Sequence, residues 1–503
     1  MSRMKFPLPR SPFPRLQLTP EYVTDLEQLT QSLLDQMIAE YEQFVHVHNR
    51  AIDRTKWKHL KSRENLHIYR AFGDHSDDQH LVMQEQLLDA SSSTSMRVSR
   101  MDVKGGNRLV GVGSVVGNLS DLLYASSTHT EDEMQIRTSY VPDECVDWRV
   151  LYKLCDAAHD NPFRTHTIKY HVKSTPGATG IGVRPRDFVV LDCTGETTLP
   201  SGERVGYSIY HSLDVPGCGS VEGMVRAQIS CAYLFRPQST NSVEVFMRSI
   251  CEMGGNMNDS LAATSLANGL ISIWKMPWGG QNKKLSWMLR QQRRNGGKKP
   301  AKTRSSSDRC PLCKKSYTLL RSATKCELCG EQICSSCLIV RKISHVRPVR
   351  ELVQISTGFC KHCITQASLI DAADIARKEY VPKQSVKRST GNSSASSNDS
   401  GQTPHSYSQD STGSEGWNST SSRVDLSSSH VETVDEWEQA QCNPHGTLYS
   451  PAAIQVSQHT PVGVDAHQMQ LFMQMNQLRI AAEQTYQITK ENGRVMHSVH
   501  PVD

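Results

Sequence analysis

Eight cysteines fall into four Cys-x-x-Cys pairs: Cys310/Cys313, Cys326/Cys329, Cys334/Cys337 and Cys360/Cys363. Two cysteines separated by two residues close a tight turn and offer both sulfurs to one ion, so each pair supplies half of a tetrahedral site. Eight thiolates in that pattern are the ligand count for two Zn²⁺ ions. Twelve residues separate the first pair from the second, four the second from the third, and twenty-two the third from the fourth. Four residues are too few for consecutive pairs to wrap easily around one ion. The spacing favours an interleaved cross-brace, with Cys310, Cys313, Cys334 and Cys337 on the first zinc and Cys326, Cys329, Cys360 and Cys363 on the second. A disulfide cluster is the competing reading, and the cytosolic look of the remaining chain argues against it.

The other seven of the fifteen cysteines are dispersed at no ligand spacing, as expected in a reducing compartment. The N-terminus MSRMKFPLPRSPFPR is basic and Pro-rich without an apolar run, unlike a secretory signal. No stretch approaches the roughly twenty apolar residues of a membrane span, so membrane contact is expected to be peripheral. A net charge of +5 over 503 residues does not call for a nucleic-acid partner. No catalytic constellation emerges. The twenty histidines are scattered, no Gly-x-Ser-x-Gly elbow occurs, and His211, Ser212 and Asp214 lie where alternate strand residues face opposite ways. The chain is expected not to be an enzyme.

The elements that must position such sites are partly visible. After a flexible N-terminus (1–18), Thr19-Pro20 reads as N-cap and first helical residue. Tyr22, Leu26, Leu29, Leu33, Met37 and Tyr41 then recur at helical spacing to about His48. Strands are expected at Leu66–Arg70, Leu81–Gln84, Val98–Val103 and from Leu109 to Val116, the last leading into a short helix near Leu119–Tyr124. Five more runs follow: Arg164–Lys173, Asp187–Asp192, Glu203–Leu213, Gly223–Phe235 and Ser242–Cys251. Their meander spacing implies an antiparallel sheet. Asn258–Met276 returns to helical periodicity through Ala263, Leu266, Ala267, Leu270 and Ile273. The expected class is α+β: an antiparallel sheet with a long C-terminal helix (19–278), a small two-zinc cross-brace module and a disordered tail. Residues 279–304 read as a basic linker and 376–463 as a disordered Ser-rich tail. Residues 464–492, with Leu471, Met475, Leu478 and Ala482, read as a short amphipathic helix with weak capacity for self-association.

The string KCELCGEQICSSC (325–337), with Gly330 directly after the fourth cysteine and eight cysteines without histidine, resembles a FYVE domain. The resemblance covers about 305–375 and implies two small hairpins and a C-terminal helix braced by two zincs. It places Tyr317 as a core aromatic and Leu319 and Leu320 on the membrane-inserting loop. The family's lipid-reading signature R(R/K)HHCRxCG is degenerate here. Thr324-Lys325 replaces the His pair, Glu327 replaces an Arg, and Asp308 alone remains of the upstream WxxD. Arg321, Lys325, Arg341, Lys342 and Arg347 are the basic residues that would compensate toward a lipid headgroup.

A second resemblance covers about 20–278. Arg184-Pro185-Arg186-Asp187-Phe188-Val189, the strand Tyr207–Ser212, Gly223-Met224-Val225-Arg226-Ala227 and Tyr233-Leu234-Phe235-Arg236-Pro237 resemble motifs of START, or helix-grip, domains. It implies a cavity between sheet and C-terminal helix holding one lipid-like molecule. Ala263, Leu266, Ala267, Leu270 and Ile273 would line it, with Gly269 leaving room; a solid core is the alternative. Together these imply a cytoplasmic, non-enzymatic lipid-binding protein or peripheral membrane adaptor, on endosomal membranes if the FYVE likeness extends that far. A RING-like ubiquitin-ligase adaptor and a protein-interaction scaffold without lipid are the alternatives.

Overall fold

The computed structural model describes residues 5–72, 106–174, 183–294, 308–319 and 321–381. All of them belong to one unit, Met1–Glu432; the second unit, Thr433–Asp503, lies wholly outside them. The expected strands at 81–84 and 98–103, residues 382–463 of the Ser-rich tail, the 464–492 helix and Leu320 also lie outside the described residues.

Helix α1 (Pro20–His46) starts where expected. The Thr19 hydroxyl accepts from the Tyr22 amide, Pro20 opens the first turn, and Leu26, Leu29, Leu33, Met37, Tyr41 and Phe44 are buried along one stripe. A ten-stranded sheet follows. Its strands are β1 (Trp57–Arg63), β2 (Asn65–Ala71), β3 (Asn107–Val116), β4 (Cys145–Cys155), β5 (Thr165–Lys173), β6 (Arg186–Thr198), β7 (Arg204–Ser212), β8 (Val225–Arg226), β9 (Gln228–Ser239) and β10 (Ser242–Glu252). The order across the sheet is β1-β2-β3-β10-β9-β7-β6-β5-β4, antiparallel throughout, with β8 added in parallel to the start of β6.

The period of two assigns the faces. Ile168, Tyr170 and Val172 of β5, Val189, Leu191 and Cys193 of β6, and Ile209 of β7 pack beneath α1. The alternate residues face the opposite layer, built by α2 (Leu119–Ser126), α3 (Glu131–Tyr140) and α4 (Asp259–Ile271). Covered on both sides, β6 is buried from Arg186 through Gly195, with an uninterrupted apolar stretch only at Phe188–Leu191. The motif residues here are structural: Asp187 is fully buried and accepts from Arg226 (2.9 Å), while Arg186 donates to the carbonyls of Met253 and Gly254.

Two expectations are corrected. Residues 5–18 are not a free arm, because Phe13 packs edge-on against Tyr170 (5.1 Å) and the Leu8 amide donates to Asp147 (2.9 Å). Nor are residues 279–294 a solvated linker, for α5 (Met276–Arg294) is a helix packed against α2. A Cβ added at Gly280 would overlap the Asp121 carbonyl oxygen. That close approach lets Lys284, one turn on, reach the Asp121 carboxylate at 2.7 Å, both side chains being fully buried. Gly280→Ala should therefore force the helices apart and lower stability by about 1–3 kcal/mol in urea unfolding; an unchanged midpoint would show that the crossing is looser than drawn.

The cysteine-rich module follows in the same unit. It contains β11 (Ala323–Lys325) paired with β12 (Gln332–Cys334), the longer hairpin β13 (Leu338–Arg347) and β14 (Glu351–Cys360), and the helices α6 (Lys361–Leu369) and α7 (Ala372–Tyr380). The two helices are separated by a break at Ile370-Asp371, where the Asp371 carboxylate caps α7. Leu285 and Leu289 of α5 share a core with Ile343, Phe359 and Ala367, and α7 buries Ala372, Ile375 and Ala376 in the main core.

Candidate metal centres and ligand cavity

The short and the long hairpin together bring the cysteines into two sets. Cys310, Cys313, Cys334 and Cys337 form one, Cys326, Cys329, Cys360 and Cys363 the other, each with its sulfurs within 4.8 Å of one another. These are the pairs one-with-three and two-with-four of the interleaved reading. A tetrahedral thiolate site with metal–sulfur bonds of ~2.3 Å has sulfur–sulfur edges of ~3.8 Å. The Cys313–Cys334 and Cys329–Cys360 sulfurs lie 3.6 and 3.9 Å apart. The donor chemistry also fits, since backbone amides of Cys360 and Cys363 point at the sulfurs of Cys326 (3.2 Å) and Cys360 (3.3 Å). Burial raises the Cys310 thiol, but amides of Cys313, Cys334 and Leu312 outweigh it and pull it down to about 6. Each set could hold a metal ion. No described cysteine is in a disulfide.

Around the metal sets, Tyr317 packs beside the sulfurs and its hydroxyl donates to the Gln332 carbonyl (2.9 Å). Leu319 stands fully exposed, Lys325 and Lys342 are exposed, and Arg321 is half-buried. Arg341 differs from expectation. It is buried, with its guanidinium over the Trp278 ring (5.9 Å), so it joins the module to the body and does not face solvent for a headgroup.

The second site is a cavity between the sheet and the helical layer. Its free volume, measured to the centre of a water-sized sphere, is about 100 Å³. A single buried water needs only ~10–15 Å³ on that measure, so this is not the residual void of a solid core. Leu266, Gly269, Leu270 and Ile273 line one side; Ala263 and Ala267 do not, and are buried in packing beside it. Phe188, Tyr233 and Cys231 of the sheet, Met253 just after β10, and Met276 of α5 extend the apolar lining.

Its polar end was not foreseen. Arg137 of α3 donates to the Tyr210 hydroxyl (2.9 Å) and lies 3.5 Å from Asp143, while Asp192 pairs with Lys169 (2.8 Å), itself held by Thr128. Burial works against the Arg137 charge, but Tyr210, Asp143 and Asp192 outweigh it and keep the guanidinium firmly protonated. His171, stacked on Phe188 (4.9 Å), is pushed well below the usual histidine range by burial and by the neighbouring cations Lys173, Arg137 and Lys169. Arg137 Nε and Asp192 Oδ1 are buried and make no hydrogen bond among the described residues. One signal in the sequence pointed here. Lys169, His171 and Lys173 alternate with Ile168, Tyr170 and Val172, and polar residues on a two-sided strand must meet partners or a ligand.

No protein-family model matches this chain, and no curated protein does. Among solved structures it is similar to human StAR-related lipid transfer protein 5 at 14% identity, over 50% of this chain and 96% of that one, with a TM-score of 0.33. Human STARD10 matches at 9% identity, over 49% and 82% of the two chains, TM-score 0.30. The human StarD13 (DLC2) lipid transfer and protein localization domain matches at 14% identity, over 52% and 98%, TM-score 0.29.

Proposed function

We propose that this protein is a non-enzymatic lipid-binding protein. Its cavity would take one amphipathic lipid-like molecule, and its module would hold two structural Zn²⁺ ions through the eight cysteines. One observation carries the lipid reading. A largely apolar cavity ends in an arginine nitrogen and a carboxylate oxygen that are both buried and unpartnered. Leaving such groups unsatisfied costs about 1–3 kcal/mol each. A ligand with an apolar body and a terminal hydroxyl or acidic group would satisfy them. The FYVE-type reading of the module draws support from the two hairpins and the interleaved sulfur sets. The exposed Leu319, Lys325 and Lys342 fit a weak anionic-membrane contact, with Arg341 removed from that set and Glu327 facing the same solvent.

The decisive experiment is native mass spectrometry and lipid extraction of the full chain, alongside Gly269→Leu. Only Lys173 Nζ, the movable end of a long side chain, lies within 4 Å of a Cβ at this position, at 2.6 Å. Leucine also favours the helix over glycine by about 0.5–0.8 kcal/mol. The variant should fold with equal or greater stability and lose its lipid. Undiminished lipid in a folded Gly269→Leu would place the ligand elsewhere, and a wild-type chain that carries none after exposure to several lipid classes would end the reading.

A further inference from the structure

Helix α3 has two faces with different neighbours. Met134 and Arg137 point into the cavity. Glu131, Gln135 and Ser139, four residues apart, form the opposite stripe and meet the β13–β14 hairpin. Gln135 donates to the Arg350 carbonyl (3.1 Å), Ser139 and Ser344 share a hydroxyl contact (2.6 Å), and Glu131 lies 3.5 Å from the Arg350 guanidinium. Gln354 reaches the Ser139 carbonyl (3.3 Å), and the Tyr140 hydroxyl accepts from the Ser344 amide (2.7 Å). The base of the same hairpin is pinned by the metal sets, since β13 starts at the residue after Cys337 and β14 ends on Cys360.

A ten-residue helix is marginal on its own and stands by its packing. On its inner side Met134 and Arg137 border free volume, so packing there is incomplete. The contacts to the hairpin add stability that the helix does not draw from the cavity side, and weakening them favours local opening. We propose that α3 is the movable wall of the cavity and that the β13–β14 hairpin is its latch, so that the metal-pinned module governs how fast a lipid-like ligand enters and leaves. This rests on the cavity being the ligand site, but the motion of α3 can be measured without any ligand.

The test uses the full chain with both metals, the double variant Gln135→Ala/Ser139→Ala, and the single variant Gln354→Ala at an exposed hairpin position. The first readout is amide hydrogen exchange of residues 131–140. Loss of two hydrogen bonds should raise the opening equilibrium of α3 by about tenfold or more, with the β9 amides unchanged. The second is the dissociation rate of a fluorescent fatty acid and a fluorescent sterol, which should rise in parallel in the double variant and less in Gln354→Ala. Unchanged exchange in α3 in a variant that still binds two zinc ions would overturn the latch. Faster α3 exchange with no probe bound even by wild type would leave the latch standing and refute the lipid reading. Faster exchange with unchanged dissociation would overturn α3 as the ligand's route.

Discussion

Lys284→Ala is expected to lower stability by about 3–5 kcal/mol, because it strands a buried carboxylate. Asp121 is fully enclosed between α2 and α5, with Lys284 as its only ion-pair partner among the described residues. Burial already pushes its carboxyl above the usual range, with Lys284 opposing that shift. The lysine also donates to the Ile370 carbonyl (3.0 Å), so the substitution frees the turn between α6 and α7. The double variant Lys284→Met/Asp121→Leu removes both charges and should recover much of the loss. Chemical denaturation of the two proteins is the check. Similar midpoints for Lys284→Ala and wild type would mean that water reaches Asp121.

Cys360→Ser should be more damaging still, and more so than Cys310→Ser. A structural zinc site contributes on the order of 10 kcal/mol to folding, far above the stability of a small module. The second sulfur set contains Cys360, whose side chain caps α6, and α6 packs through Ala367 against Leu285, Leu289 and Phe359. Losing that set releases the join between module and body. The first set lies by the outer β11–β12 hairpin, so its loss should stay local. Elemental analysis should find one zinc per chain in each variant against two in wild type. Thermal unfolding should show early melting of the body in Cys360→Ser alone. Two zincs retained in either variant, or identical melting of both, would discard the interleaved assignment or the asymmetry.

Much of this was legible in the residues. The interleaving of the cysteines follows from a four-residue gap, and the helix at Thr19-Pro20 from its cap and stripe. Residues 131–155 were not foreseen. α3 carries a capping box, with Thr130 and Glu133 satisfying each other's amides, but its mixed composition hides any apolar stripe. β4 shifts register three times against β5, which breaks the alternation that would mark a strand. The α5 segment misled for a different reason. A run rich in lysine and arginine reads as solvated, and only tertiary partners from distant segments reveal Lys283 and Lys284 as buried. The cavity's apolar wall was visible in the spacing of Leu266, Leu270 and Ile273. Arg137 and Asp192 line the same cavity only because α3, packed beside β4, sends Arg137 across to Tyr210 of β7.

The seating of α7 on α2 decides where this chain can be cut. Tyr124 donates to Glu379 (2.6 Å), Lys283 reaches both Tyr124 and Tyr380, and Arg377 reaches back to the carbonyl of His159. A truncation ending near residue 278 would bare Asp121 and the aromatic surface of α2, and a piece holding only the metal-binding residues would bare the opposite side. For expression or recombination a fragment that keeps these contacts therefore runs at least through Tyr380, and swapping either half into another protein would carry a wound from the missing partner.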